Sequence, residues 1–171
     1  MGCLGVLFAL SDKDLNKLLK TSRFERPDFI SEDLEEIYFE KHTKYVYELD
    51  KSWDAMHRCL SNDGLLVFGD DNYPFGSIIM GNDVLYGNGD DEEDYIITLK
   101  KENLVKDIAS KIETITKEKF REKYFKIDEK DYEYPLSDED FEYTWDYFYR
   151  SIEFWKNASE ANRAVIFTVD Q

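Results

Sequence analysis

Asp50, Trp53, Asp54 and His57 fall within "ELDKSWDAMHRCLS", residues 48–61, the best local cluster of side chains able to do chemistry in this chain. An imidazole oriented by a carboxylate is the usual general base, and a nucleophile within its reach completes a triad. Only His42 and His57 could supply that imidazole. Cys59 stands two residues after His57, on a different face of a helix, and so makes no ready dyad with it. Asp50 and Asp54 lie one turn apart beside Trp53 and His57, but a chain with 38 acids yields such pairs without any chemical purpose. The plainer reading makes Asp50 a helix cap, Asp54 a surface acid and His57 a ring at the margin of a core, one turn after a buried Trp53.

Other chemistries find less support. No H-x-x-x-H or C-x-x-C spacing offers a zinc site, and no G-x-x-x-x-G-K-[ST] or G-x-G-x-x-G run offers a phosphate cradle. The loop "GNGDDEED" has carboxylates for calcium but not the EF-hand order of ligands, so a solvated acidic loop from Asp90 to Asp94 is expected. Catalytic residues, metal and cofactor are all expected to be none. Tyr132 and Tyr134 before Pro135, with Tyr143, Tyr147 and Tyr149 on a following helix, suit core edges or a partner surface.

The elements that would position these groups follow from periodicity. "CLGVLFAL" reads as a buried strand, followed by a helix that Ser11 and Asp14 start as a capping box and that carries Leu15, Leu18 and Leu19. Pro27 should end that region, and Ser31 should open a second helix with Leu34, Ile37 and Tyr38 on one face. Asp50 should cap a helix from Lys51 to about Leu60, with Leu49, Trp53, Met56 and Leu60 inward and Asp54 and Arg58 outward. Residues 62 to 94 are dense in Gly, Asn and Asp and should be irregular. "YIITL" reads as a strand passing through Thr98, as cap, into a helix with Leu104, Ile108, Ile112 and Ile115 on one stripe. Thr116 and Ser137 should start two more helices, the second carrying Phe141, Trp145, Phe148, Ile152 and Trp155. Residues 164–169, "AVIFTV", close as a strand.

These elements predict an α+β fold in a single domain spanning residues 1–171. A small, mainly antiparallel sheet would include both terminal strands as neighbours, packed by several helices, among them a long C-terminal aromatic one. The 171 residues, 42% of them apolar, suffice for a self-supporting core. Lys and Arg total 22 against 38 acids, a formal charge of −16 that repels nucleic acids and anionic membranes. Two cysteines, Cys3 and Cys59, build no disulfide framework and fit a cytoplasmic location. "MGCLGVLFAL" lacks the basic flank of a signal peptide and is too short an apolar run to span a bilayer. No membrane or nucleic-acid partner is expected, and the sequence sets no oligomeric state.

In combination, the opening "MGCLG", "LDKSWDAMHRCLS", "FGSIIMGND", "YIITLKKENLVKDIASKI", the "YEYP" turn and the aromatic helix with its closing strand resemble the YfbM-like family of small bacterial proteins, classed as a domain of unknown function. Trp53 and His57 match the tryptophan helix with a histidine one turn on that this family carries. The chain departs from the pattern at "RCLSNDG", at "GND", and at Lys100, where a proline is common. The resemblance implies a cytoplasmic α+β protein and carries over no catalytic residue.

Two functions follow. The first is a non-catalytic binding module whose acidic surface steers a basic protein partner, for example an immunity-type role against a basic toxin. The alternative is an enzyme or small-ligand binder with a pocket near Trp53 and His57, lined also by Asp50, Asp54 and Tyr134. The absence of a catalytic motif favours the first.

Overall fold

A computed structural model describes residues 3–87 and 94–170, so most of the acidic loop, Asp90, Asp91, Glu92 and Glu93, lies outside the described residues. The expected strand at the start is β1 (Gly5–Leu10), and all six of its residues are buried. Alternation sends Leu7 and Ala9 to one face and Val6, Phe8 and Leu10 to the other, which requires apolar cover on both sides. β5 (Ala164–Asp170) pairs with it antiparallel, Gly5 opposite Val169 and Leu10 opposite Ala164, so the two are neighbours as expected. β4 (Tyr95–Lys100) lies on the other side of β5. β2 (Val46–Asp50) and β3 (Asp83–Tyr86) form the edges of a fully antiparallel sheet in the order β2-β1-β5-β4-β3. The α+β reading of the sequence holds.

One face of the sheet is covered by α4 (Trp53–Leu60), α5 (Glu102–Lys111), α6 (Lys117–Tyr124) and α7 (Asp138–Glu160). Thr116 and Ser137 cap α6 and α7 as expected, each side chain accepting from the backbone N–H three residues on. Phe120 stacks on Phe148 at 5.0 Å and meets Trp145 at 5.3 Å, so the aromatic stripe of α7 closes onto α6. Trp53 packs on Phe167 at 5.7 Å. Gly5 passes beneath that pair: a Cβ there would lie 2.9 Å from the indole Cδ1.

The opposite face is covered by α1 (Asp12–Lys20), the single turn α2 (Arg26–Phe29), a π turn over Ile30–Leu34 and α3 (Glu35–Lys41). Ser11 starts α1 as expected, accepting from the Asp14 N–H. Pro27 does not end this region. It sits in the first turn of α2, where a missing N–H removes no helical bond. Ser31 accordingly opens no new helix and lies within the π turn. Leu34 and Tyr38 point inward, but Ile37, expected on the same face, is 45% exposed.

Two other caps differ from expectation. Asp50 ends β2 with φ of 50°, and Ser52 occupies the N-cap position of α4, its hydroxyl donating to Leu49 O. Thr98 lies inside β4, which runs two residues further, and Lys101 precedes α5. Residues 61–82 form turns and one short 3-10 helix (Phe75–Ser77), and they insert Ile78, Ile79 and Met80 into the first face's core.

Candidate functional site

The residues singled out in the sequence divide between separate hydrogen-bonded groups. Trp53 is buried and its Nε1 donates to Cys3 O at 2.8 Å, an anchor for the N-terminal end of β1. Asp50 accepts from the Tyr147 hydroxyl at 3.5 Å, while the Lys51 N–H donates to the Tyr143 hydroxyl at 3.1 Å, which ties the end of β2 to α7. Asp54 accepts from Arg58 Nε at 2.6 Å. Arg58 is buried rather than outward, because Nη2 also donates to Asp131 O at 3.1 Å and the guanidinium lies 5.9 Å from the Tyr132 ring. Burial raises the Asp54 carboxyl, Arg58 opposes the rise, and the charges of Glu133 and Asp140 add to it.

Asp140 continues this group from the first turn of α7. Its Oδ2 accepts from the hydroxyls of Tyr124 at 2.5 Å and Tyr132 at 2.9 Å. Burial first, then the carboxylate, pushes both phenols upward. Tyr134 contributes an exposed ring, 45% accessible, set edge-on to Tyr132 at 5.7 Å. α4, α6 and α7 are thereby tied together by carboxylate, phenol and guanidinium contacts.

His57 belongs to another place. It is wholly buried, not at the core's edge, and neither ring nitrogen meets a partner in full hydrogen-bond geometry. The Val67 backbone approaches closely enough to favour the charged ring without meeting that geometry. Burial lowers the pKa to about 4, with Asp70 and Val67 opposing and the charges of Lys100 and Arg58 reinforcing. The ring is neutral at pH 7. An alanine here would leave a cavity.

Lys100, also wholly buried, donates through Nζ to Thr98 Oγ1 at 2.5 Å and to Ile79 O, while Thr98 itself donates to Ile79 O at 2.9 Å. Burial holds this amine well below the ordinary lysine range, against an opposing pull from Asp83. A lowered pKa makes an amine a better nucleophile in principle. Here it pins residues 77–81 onto β4. Sequence reading missed this role, yet the alternation in "YIITLK" places Ile96, Thr98 and Lys100 on the same face.

Described residues form two clefts on the surface. One, of about 1060 Å³, runs between the edge strand at Val46 and Tyr47 and α7 at Tyr149, Ile152 and Glu153. The other, of about 370 Å³, lies between α1 and the α2–α3 segment. Neither is lined by Trp53 or His57. Among the described residues no three His, Cys, Asp or Glu side chains are gathered to hold a metal ion, and no helix is long and apolar enough to cross a membrane.

Comparison with known proteins adds a family to this geometry. Residues 1–168 match the model described as Domain of unknown function (DUF1877). The chain belongs to the DUF1877 family. No curated protein matches it. The fold of this DUF1877 chain is similar to the crystal structure of YfbM from Escherichia coli, a protein of unknown function, with a TM-score of 0.66 and 16% identity over 97% of this chain and 99% of that one. At that identity the likeness is one of fold, and it bears out the YfbM-like resemblance carried by "LDKSWDAMHRCLS" and the segments quoted with it.

Proposed function

We propose that this DUF1877 protein is a non-catalytic binding module that engages a basic protein through its acidic surface, in the manner of an immunity-type partner. The carrying observation is the outward side of residues 28–41. Asp28, Glu32, Asp33, Glu35, Glu36 and Glu40 are exposed there, and no ion pair among the described residues engages them. Ile37 and Phe39, 45% and 40% exposed, stand among these acids, and such a mixture suits a basic surface with an apolar centre. The net charge of −16 supports fast, salt-sensitive association with such a partner.

The alternative of a reaction pocket near Trp53 and His57 fares less well on this geometry. Trp53, Asp54 and Asp50 are committed to Cys3, Arg58 and Tyr147 in turn, and the His57 ring is enclosed. Affinity capture from the native cell tests the first reading. The wild-type protein should recover a basic partner at low salt and release it at high salt, whereas a Glu32→Lys/Glu35→Lys/Glu36→Lys variant should recover none. Binding that ignores both salt and charge reversal sinks the reading.

A further inference from the structure

We infer that the smaller cleft, between α1 and the α2–α3 segment, is a binding site for a small organic anion with an apolar body. Its inner side is apolar: Phe29, Leu34, Ile37 and the ring of Tyr38 line it. The π turn helps to make this floor. Glu35 N–H reaches back five residues to Ile30 O, and the widened turn sets Phe29 and Leu34, five residues apart, against one cleft.

The rim is basic in a chain that is otherwise strongly acidic. Lys13 and Lys17 come from successive turns of α1, and Arg163 comes from the turn before β5. Arg163 is held in place, one N–H donating to Ala9 O at 3.1 Å and the guanidinium lying 3.6 Å from the centre of the Tyr45 ring. A guanidinium fixed in this way retains further donors for a carboxylate or phosphate oxygen. His42, the histidine outside the buried core, completes the rim beside Tyr38, the ring centroids 5.2 Å apart.

Two acids also line the cleft. Asp14 is already engaged, its Oδ2 accepting from Ser11 Oγ and from the Tyr38 hydroxyl, both at 2.8 Å. Asp33 stands exposed at the α3 side. Three permanent cations therefore face two carboxylates, one of which is tied into the wall. The volume of about 370 Å³ is that of a small-molecule site, and an apolar floor with a few convergent polar groups is the usual composition of one. The anionic end of the ligand would lie toward Lys13, Lys17 and Arg163, and its apolar body toward Phe29 and Ile37.

The cations of this site are not the acids of the protein-partner reading, so the lysine substitutions test this site alone, although Ile37 and Asp33 belong to both surfaces. The test employs two fluorescent probes of nearly the same aromatic body, the anion 8-anilino-1-naphthalenesulfonate and the neutral N-phenyl-1-naphthylamine, on the natively folded protein. The anion should bind one to one. Its affinity should fall about tenfold in Lys13→Ala/Lys17→Ala, the effect of losing charge-assisted contacts, and again in Ile37→Ser. Arg150→Ala, in the larger cleft, should leave it unchanged, and unaltered melting temperatures would show that all variants are folded. Equal affinity for the two probes, or an anion affinity that Arg150→Ala lowers as much as the lysine pair does, overturns the assignment. So does an anion affinity that the lysine substitutions leave untouched.

Discussion

On the side of the sheet that carries Leu7, Phe167 and Val169, four helices and the 61–82 segment bury the indoles of Trp53 and Trp155 together with a chain of phenylalanines. On the other side, Val6, Phe8, Ile97, Leu99 and Ile166 are covered by α1 and the α2–α3 segment, and the buried set is less than half as large. The first side encloses its titratable groups: His57, Lys100, Arg58 and Cys59 are all out of solvent. The second leaves its acids in water. In this molecule the thick layer supplies stability and the thin layer supplies surface, so the residues most conspicuous to a chemist reading the sequence sit on the less accessible side.

Substitutions can test that division. Trp53→Ala should destabilise by about 3 to 5 kcal/mol in urea unfolding, the usual cost of emptying a large aromatic site. A loss below about 1 kcal/mol would mean that the thick layer is not the stabilising one.

Acidification should have the next largest effect. The folded pKa of His57, about 4, lies below the ordinary 6.5, so the unfolded chain binds more protons between those values. Stability from this group is fully present above pH 6.5 and is lost as pH falls through 4, by about 3 kcal/mol at 1.36 kcal/mol per pH unit. His57→Leu should flatten that part of the stability profile, and an unchanged profile would mean that the ring finds a partner in solution.

Lys100→Met should stabilise the protein, because burial disfavours the charged amine and lowers its pKa, a cost that the apolar side chain does not carry. The gain should shrink toward the alkaline range, where the unfolded amine also loses its proton. Ile79 O keeps its bond from Thr98 in that variant. A lower melting temperature at pH 7 would place a compensating negative charge beside Nζ.

The smallest effect belongs to the thin side. Phe24 is 75% exposed, and Phe24→Ser should change the melting free energy by less than about 0.5 kcal/mol. A larger loss would show that this side has more cover in solution than the fold provides.

Much of this architecture was legible in the sequence. Ser11, Thr116 and Ser137 announce three helices because a side-chain oxygen followed by a free N–H is a local, short-range signal. The terminal strands announce themselves by continuous apolar runs, as strands covered on both faces do. Asp50 and Thr98 misled for the same reason that the true caps informed: both are good capping types, but Asp50 ends a strand and Thr98 faces Ile79 from within one. Whether a cap is used depends on where the chain turns, which is a tertiary matter.

The candidate site was less legible. Arg58 and Lys100 are residue types that ordinarily stay in water; Asp54 lies one turn from Arg58, but Asp131 O, Ile79 O and Thr98, which also make their burial tolerable, are distant in sequence or face inward. His57 was placed one turn after Trp53, correctly, yet the 61–82 segment that covers it has no periodicity to forecast its position. The basic rim of the smaller cleft joins residues 13, 17, 42 and 163, a conjunction that no single stretch of sequence displays.

The place of β5 between β1 and β4 has a consequence for how the molecule comes into being. β1 with β2, and β3 with β4, are two ladders that share no edge until residues 164–170 slide in between them. On a ribosome residues 164–170 must therefore emerge before the sheet can zip shut, and until then both inner edges stand open to pairing with the wrong neighbour.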